Sequence, residues 1–297
     1  MRRHFLSALF VLFLVLPLVA QQTKDTLANA LLWEISGPGI AESSWLFGTI
    51  HLISEDSFEL PDRLLARLSK ADRLVLELNM DEATNPMTQL SLLPKMMMPD
   101  GIKLRDLLVE ADYLLVMERL QTMGLPGFLM EGIKPLFLSA LIDPSMAPGG
   151  GGVESYDMTL YDLAKKNDIK HSGLESIEEQ LAAFDAVPLE DQANMLVGQL
   201  RESTDSTLQM DDLVRFYKQE NITALQAIMD EQKDMDAGMM ESLLYGRNRR
   251  WIPIMQAMMT NERVFFAVGA GHLAGEEGVI RLLQKQGFKV SPIPVFN

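Results

Sequence analysis

The chain has 297 residues, 47% of them hydrophobic and 23% charged, with no cysteine. This composition excludes a disordered chain, a collagen-like repeat and a disulfide-stapled scaffold, and it removes every thiolate metal site and cysteine nucleophile. A formal charge of −15, from 41 acidic against 26 basic residues, repels phosphate backbones and speaks against nucleic-acid partners.

Residues 1–20 read MRRHFLSALFVLFLVLPLVA. A basic start at Arg2 and Arg3, an apolar run over 5–16, a break at Pro17 and a small-residue exit at Val19-Ala20 are the layout of a secretory signal peptide. Cleavage is expected after Ala20, which predicts an exported protein, periplasmic or extracellular, whose folded part is residues 21–297. An uncleaved amino-terminal anchor is the rival reading. The run is shorter than the ~20 residues that cross a bilayer, so no membrane span is expected in the mature chain.

Apolar runs at 31–35 (LLWEI) and 45–48 (WLFG) predict two adjacent strands joined through Gly37-Pro38-Gly39. A short helix at 61–69 and a buried strand at 73–78 (RLVLEL) follow. From about 85 to 146 the chain is helical, apolar and methionine-rich, broken by Pro94, Pro99, Gly124, Pro126 and Pro135. A glycine loop at 148–152 leads into a helix over 156–166 and a strand over 169–174. A second helical block fills 177–245, with a turn near Pro188. The chain closes with a strand at 264–268 (VFFAV), a helix at 278–286 and a strand at 290–296. Strands at both ends with helices between them predict a single α/β domain, its central mixed sheet built from both ends of the chain around a largely helical middle.

Two histidines sit in matching contexts. Gly48-Thr49-Ile50-His51-Leu52 follows one strand and Gly269-Ala270-Gly271-His272-Leu273 follows another, near opposite ends of the chain. A glycine at a strand exit is expected to let the backbone turn sharply, with the histidine three residues later above the sheet edge. Ligand sites of open α/β sheets lie outside the carboxyl ends of strands, so two such exits on neighbouring strands would share one crevice. Residues 269–274 also fit the dinucleotide fingerprint G-x-G-x-x-G/A, but the following strand carries two prolines and no acidic residue, which removes that reading. His171 lacks the glycine spacing and is left out.

Several charged residues are candidates to complete the site. Glu77 lies inside a strand pattern, where a charge is costly without a metal, a cation or hydrogen bonds. Glu154 and Asp157 follow the glycine loop, and Asp157, one turn into a helix, is the better placed to reach a crevice. Glu154 suits the helix dipole. Glu175 ends a further strand with Gln180 five positions on, and supporting or capping roles suit both. Arg247 belongs to the densest basic cluster, with Asn248, Arg249 and Arg250; it is read either as an oxyanion or carboxylate stabiliser or as part of an exposed basic face. The 20 methionines are read as flexible packing, with copper handling as the lesser alternative.

These residues together resemble the TraB/GumN family, which includes the animal Tiki proteins. WLFGTIHL at 45–52, LVLELN at 74–79, SYDMTLYDLAKK at 155–166, GLESIEEQL at 173–181, GRNRRW at 246–251 and FFAVGAGHLAGEEGVIRLLQKQGFKV at 265–290 carry the resemblance. It implies a single α/β domain with a divalent-metal site, as in the Tiki proteins, which are described as proteases favouring manganese or cobalt. It also implies that His51, His272, Glu77 and Asp157 are the central polar residues, with Arg247 as a further one. Other relatives are described as binding peptide pheromones, and a more distant one as binding haem.

The resulting expectation is an exported metal-dependent hydrolase acting on a peptide or protein. His51 and His272 would ligate manganese, cobalt or zinc, with Glu77 or Asp157 as third ligand and the remaining carboxylate as general base. Arg247 would stabilise the reaction, and Glu154 and Glu175 are secondary candidates. The alternative is a non-catalytic protein of the same fold that captures a peptide or haem in its methionine-rich groove.

Overall fold

The computed structural model describes residues 27–40, 42–142, 152–202, 206–231 and 237–296. The expected signal peptide and most of the glycine loop at 148–152 lie outside these residues. Six strands form the main sheet: β1 (Leu32–Ser36), β2 (Ser44–Thr49), β4 (Arg73–Leu78), β6 (Lys170–Glu175), β7 (Val264–Gly269) and β8 (Lys289–Ile293). Their spatial order is β6-β4-β7-β2-β1-β8. Two short strands, β3 (Ile53–Ser54) and β5 (Val153–Glu154), pair separately as an antiparallel ribbon.

The strand composition explains this order. β2 (SWLFGT) and β7 (VFFAVG) are buried at every position, as parallel strands covered on both faces must be, and both read as continuous apolar runs. They pair parallel to each other, and β4 pairs parallel to β7 and to β6. β1 turns back antiparallel to β2 and carries β8 on its other side. β8 ends at Ile293, short of the expected 296. It is an edge strand with Pro292 within it, a position where the sheet tolerates a missing N–H donor.

The sheet therefore joins the two ends of the chain, as the sequence predicts. Its core includes Trp33, Phe47, Phe265, Phe266, Tyr156, Tyr217 and Trp251, all at most 2% exposed. The methionine-rich middle forms a series of helices, including Pro86–Met96, Glu110–Thr122 and Pro135–Leu141. With the helix Leu189–Glu202 they enclose a second, smaller core around Leu104, Val116, Leu120, Leu138, Leu196 and Val197. Methionine serves both settings: Met255 and Met259 are buried, whereas Met87 and Met97 face solvent.

Glu220 connects the middle of the chain to the segments that flank the adjacent strands β1 and β8. Its buried carboxylate accepts from the backbone N–H groups of Leu31 (3.2 Å), Val295 (2.8 Å) and Phe296 (3.2 Å). In Glu220→Gln one of those oxygens becomes an NH2 group and at least one buried N–H loses its acceptor. The expected cost is about 1–3 kcal/mol of unfolding free energy, read from urea denaturation.

Candidate functional site

The carboxyl ends of β2, β4, β6 and β7 meet at one edge of the sheet. β2 and β7 are direct neighbours, with Thr49 opposite Gly269, so the two matching histidine motifs leave the sheet side by side. Neither Gly48 nor Gly269 turns the chain: both are strand residues, and neither is among the glycines with positive φ. Space is the reason for glycine instead. A methyl group on Gly48 would lie 2.6 Å from Leu273 Cδ1 and 3.1 Å from Ala270 Cα, so the absence of a side chain lets the second motif pack against the first strand.

After β7 a 3-10 turn, Ala270–His272, folds the His272 ring back into the interior, where it is 3% exposed. Glu77 is the last but one residue of β4 and Glu175 the last of β6. The helix Gly246–Met259, entered through a π-helical turn at Glu241–Tyr245, lays Arg247, Asn248 and Trp251 across these strand ends. The spacing of one and four places the three side chains on one helical face.

Arg247 is buried and sits at the centre of the polar network. Its Nη2 donates to Glu77 Oε2 (2.5 Å) and Glu175 Oε1 (2.6 Å), and its Nε donates to Glu175 Oε1 (2.9 Å). Nη1 donates to Leu243 O (3.0 Å) and to His272 Nε2 (3.2 Å). Its five N–H groups make five hydrogen bonds to four acceptor atoms, Glu175 Oε1 taking two, so the guanidinium has no donor left over. The exposed-face reading of Arg247 is thereby corrected, while Arg249 and Arg250 do reach solvent. Trp251 Nε1 donates to Glu175 Oε2 (3.3 Å), and its ring lies under the guanidinium carbon at 4.9 Å. Glu77 also accepts from the backbone N–H of Gly269 (2.8 Å).

The second half of the site is an acid–imidazole pair. The β3–β5 ribbon, with Glu55 N donating to Gly152 O (2.8 Å), holds the start of the helix Tyr156–Lys166 beside His51. Asp157, in the first turn of that helix, has Oδ2 2.9 Å from His51 Nδ1, and its Oδ1 accepts from Thr49 Oγ1 (3.1 Å). The His51 side chain is 66% exposed, so its other ring nitrogen is open to the crevice. A methyl group on Gly269 would stand 3.4 Å from His51 Nε2, 3.3 Å from Glu77 Oε1 and 3.6 Å from His272 Cδ2. The space in front of Gly269 is thus shared by all three residues.

The two histidines are electrostatic opposites. The hydrogen bond to Asp157 raises the His51 pKa to about 9. Burial lowers His272 to about 4, although Glu77 pulls the other way. For Glu77 burial opposes ionisation, but His272, Arg247 and His51 together draw the carboxyl down to about 2. Near neutral pH the site therefore holds an imidazolium at His51, a neutral ring at His272 and an ionised Glu77.

Of the residues singled out from sequence, His51, Glu77, Asp157, Glu175, Arg247 and His272 gather here. Gln180 reaches Glu175 (3.4 Å). Glu154 sits in the ribbon opposite Ile53, and among the described residues it shares no hydrogen bond or ion pair with the network. Thr49, Asn248 and Trp251 join them, and the last two lie in GRNRRW at the helical spacing that the structure uses. Among the described residues no three His, Asp or Glu side chains form a ready metal-ion cage; Arg247 already engages Glu77 Oε2 and His272 Nε2.

The fold and site define an α/β protein with a two-histidine, carboxylate and arginine centre at its strand ends. The chain belongs to the TraB/PrgY/gumN family, whose model matches residues 31–292. The Danio rerio protein named Metalloprotease TIKI2 is 21% identical over 320 residues, taking in 90% of this chain and 61% of its own length. The Homo sapiens protein named Metalloprotease TIKI1 is 21% identical, over 90% of this chain and 62% of its own. A Shigella flexneri protein, YbaP, is 25% identical over 84% of this chain and 91% of its own length. The chain thus spans about three fifths of the length of these two Tiki relatives. No solved structure matches it.

The raised His51 pKa gives a direct test. Its pair with Asp157 contributes stability fully present below the unfolded histidine pKa of about 6.5, and that contribution is lost as pH rises through about 9. By NMR titration His51 is expected to change charge near 9 in the wild-type protein, and close to 6.5 in Asp157→Asn.

Proposed function

We propose that this protein is an exported, divalent-metal-dependent hydrolase that cuts peptides or proteins, with residues 21–297 as the working unit. The observation that carries this reading is the convergence of His51 Nε2, Glu77 Oε1 and His272 on the space in front of Gly269. Two imidazoles and a carboxylate suit manganese, cobalt or zinc, and two Tiki relatives carry the name metalloprotease. Export is supported by the layout of residues 1–20 and agrees with the lack, among the described residues, of any helix long and apolar enough to cross a membrane.

In this reading His51, Glu77 and His272 would hold the ion, and Arg247 would have to give up its contact with His272 Nε2. The chemistry a divalent ion supplies when bound is polarisation of the scissile carbonyl and acidification of water. His51 would have to lose its proton to serve as a ligand, because only the neutral ring can coordinate a metal. Asp157 keeps Nδ1 oriented and leaves Nε2 for the crevice. Arg247 keeps its hydrogen bonds to Glu77, Glu175 and Leu243 O, so its part is to hold those acids in place.

A second reading has its own observation. The helical middle exposes Met87 (73%), Leu90, Leu93, Phe128 (76%) and Leu129, an apolar surface suited to capturing a peptide without turnover. Glu77→Gln separates the two. A hydrolase loses turnover of a peptide library and keeps peptide affinity; a pure binder is indifferent to Glu77 and loses affinity in Leu90→Ser/Leu93→Ser.

The wild-type protein is expected to bind one manganese, cobalt or zinc ion, more tightly as pH rises toward 9, and His51→Ala/His272→Ala to bind none. A well-folded wild-type protein that takes up no metal at any pH would sink the metal-dependent reading. Gly269→Ala is a complementary probe. Gly269 has φ −51 and ψ 137, angles open to any residue, so the fold should persist while the methyl group fills the shared space and cuts metal affinity and turnover by at least about 10-fold.

A further inference from the structure

Asn248 belongs to none of the roles assigned so far, yet it is buried and touches the site at three points. Its Oδ1 lies 2.6 Å from His272 Nδ1, while its Nδ2 donates to Glu277 O (2.8 Å) and, more weakly, to His272 O (3.5 Å). The two carbonyls need a donor, which settles the orientation of the amide: nitrogen toward the loop, oxygen toward the ring. An amide oxygen only accepts, so the proton of His272 must be on Nδ1.

The opposite side of the ring favours the same tautomer. Arg247 can only donate, and its Nη1 stands 3.2 Å from His272 Nε2. That nitrogen must present its lone pair. Trp251 closes one face of the ring, with centroids 4.5 Å apart. The imidazole is thus enclosed by an acceptor, a donor and an indole, and one tautomer satisfies all of them.

We infer that Asn248 is a positioning residue that fixes His272 as its Nδ1–H tautomer, keeping the Nε2 lone pair directed at the centre of the site. The inference deepens the proposed function and rests on its reading of His272 as a ligand. A neutral histidine in water favours the Nε2–H form, which would turn a hydrogen instead of a lone pair toward Glu77 and any ion. Partners of this kind set which ring nitrogen is available to a metal. The same amide also anchors the turn between His272 and Glu277, so its two ends tie the ring to the loop that carries it.

The test is long-range 1H–15N NMR of the metal-free protein at about pH 8, on the wild type, Asn248→Leu and Asn248→Asp. The expected result is Nδ1–H in the wild type, a mixture of Nδ1–H and Nε2–H in Asn248→Leu, where Arg247 alone is left to favour the Nε2 lone pair, and Nδ1–H retained in Asn248→Asp, which keeps the acceptor oxygen but loses the donor to Glu277. A residue that only anchored the loop would disturb both variants alike. Nε2–H in the wild type, or an unchanged tautomer in Asn248→Leu, would overturn the inference; the wild-type and Asn248→Asp spectra decide the matter if the leucine variant fails to fold. Manganese affinity, measured by calorimetry, should fall about 10–100-fold in Asn248→Leu and less in Asn248→Asp. No manganese, cobalt or zinc binding by the wild-type protein counts against the metal-dependent reading, while the tautomer result stands by itself.

Discussion

A buried guanidinium is the interaction on which the rest of this molecule depends. Arg247 lies where four strands end, and an unpaired cation there would carry a desolvation penalty of several kcal/mol. Two buried carboxylates, a backbone carbonyl and an imidazole take up all of its hydrogens. Glu77 and Glu175 come from adjacent strands, β4 and β6, and would repel each other without the arginine between them. The pairing is therefore reciprocal: the acids make the cation tolerable, and the cation makes two acids at one sheet edge tolerable. Such a cluster is weak grounds for stability, since an apolar replacement often does as well. Its presence points instead to a charge arrangement kept for use.

The sheet topology supplies the other half of the arrangement. β2, from early in the chain, and β7, from late in it, are neighbours in register, and this alone brings His51 and His272 to one crevice. The two rings are then treated differently. His51 stays at the rim with Asp157 on one side and the open crevice on the other, and it keeps a proton. His272 is turned inward against an indole and an arginine, and it loses one. One motif, repeated in sequence, thus yields two sites with opposite protonation at the same pH.

Much of this was legible from the residues. Alternation in RLVLEL puts Glu77 on the face opposite Leu74 and Leu76, and the repeated GxxH contexts mark two equivalent strand exits. The Asp157 position follows from its place in the first helical turn after the glycine loop. The role of the glycines was not legible: they read as turn formers and prove to be sites of close approach, because a missing side chain looks the same in sequence whichever reason selects it. Nor was the burial of Arg247. Four basic and polar residues in a row read as a wet surface, and only the tertiary contact with β4 and β6 separates Arg247 from its exposed neighbours Arg249 and Arg250. Asn248 escaped for the same reason, since its partners are a ring and two carbonyls from a loop some 25 positions away.

The late arrival of β7 also bears on how this protein is made. β7 lies between β4 and β2 in the sheet, yet more than two hundred residues of chain separate it from β2. Until it is in place, β2 and β4 have no shared neighbour, and the buried apolar face of the sheet has nothing to close it. Pairings this distant in sequence are slow to form, and they leave a growing chain without a finished sheet until β7 has been made. Such a polypeptide stays threadable until β7 has emerged, and only then can it complete its sheet and its charged centre.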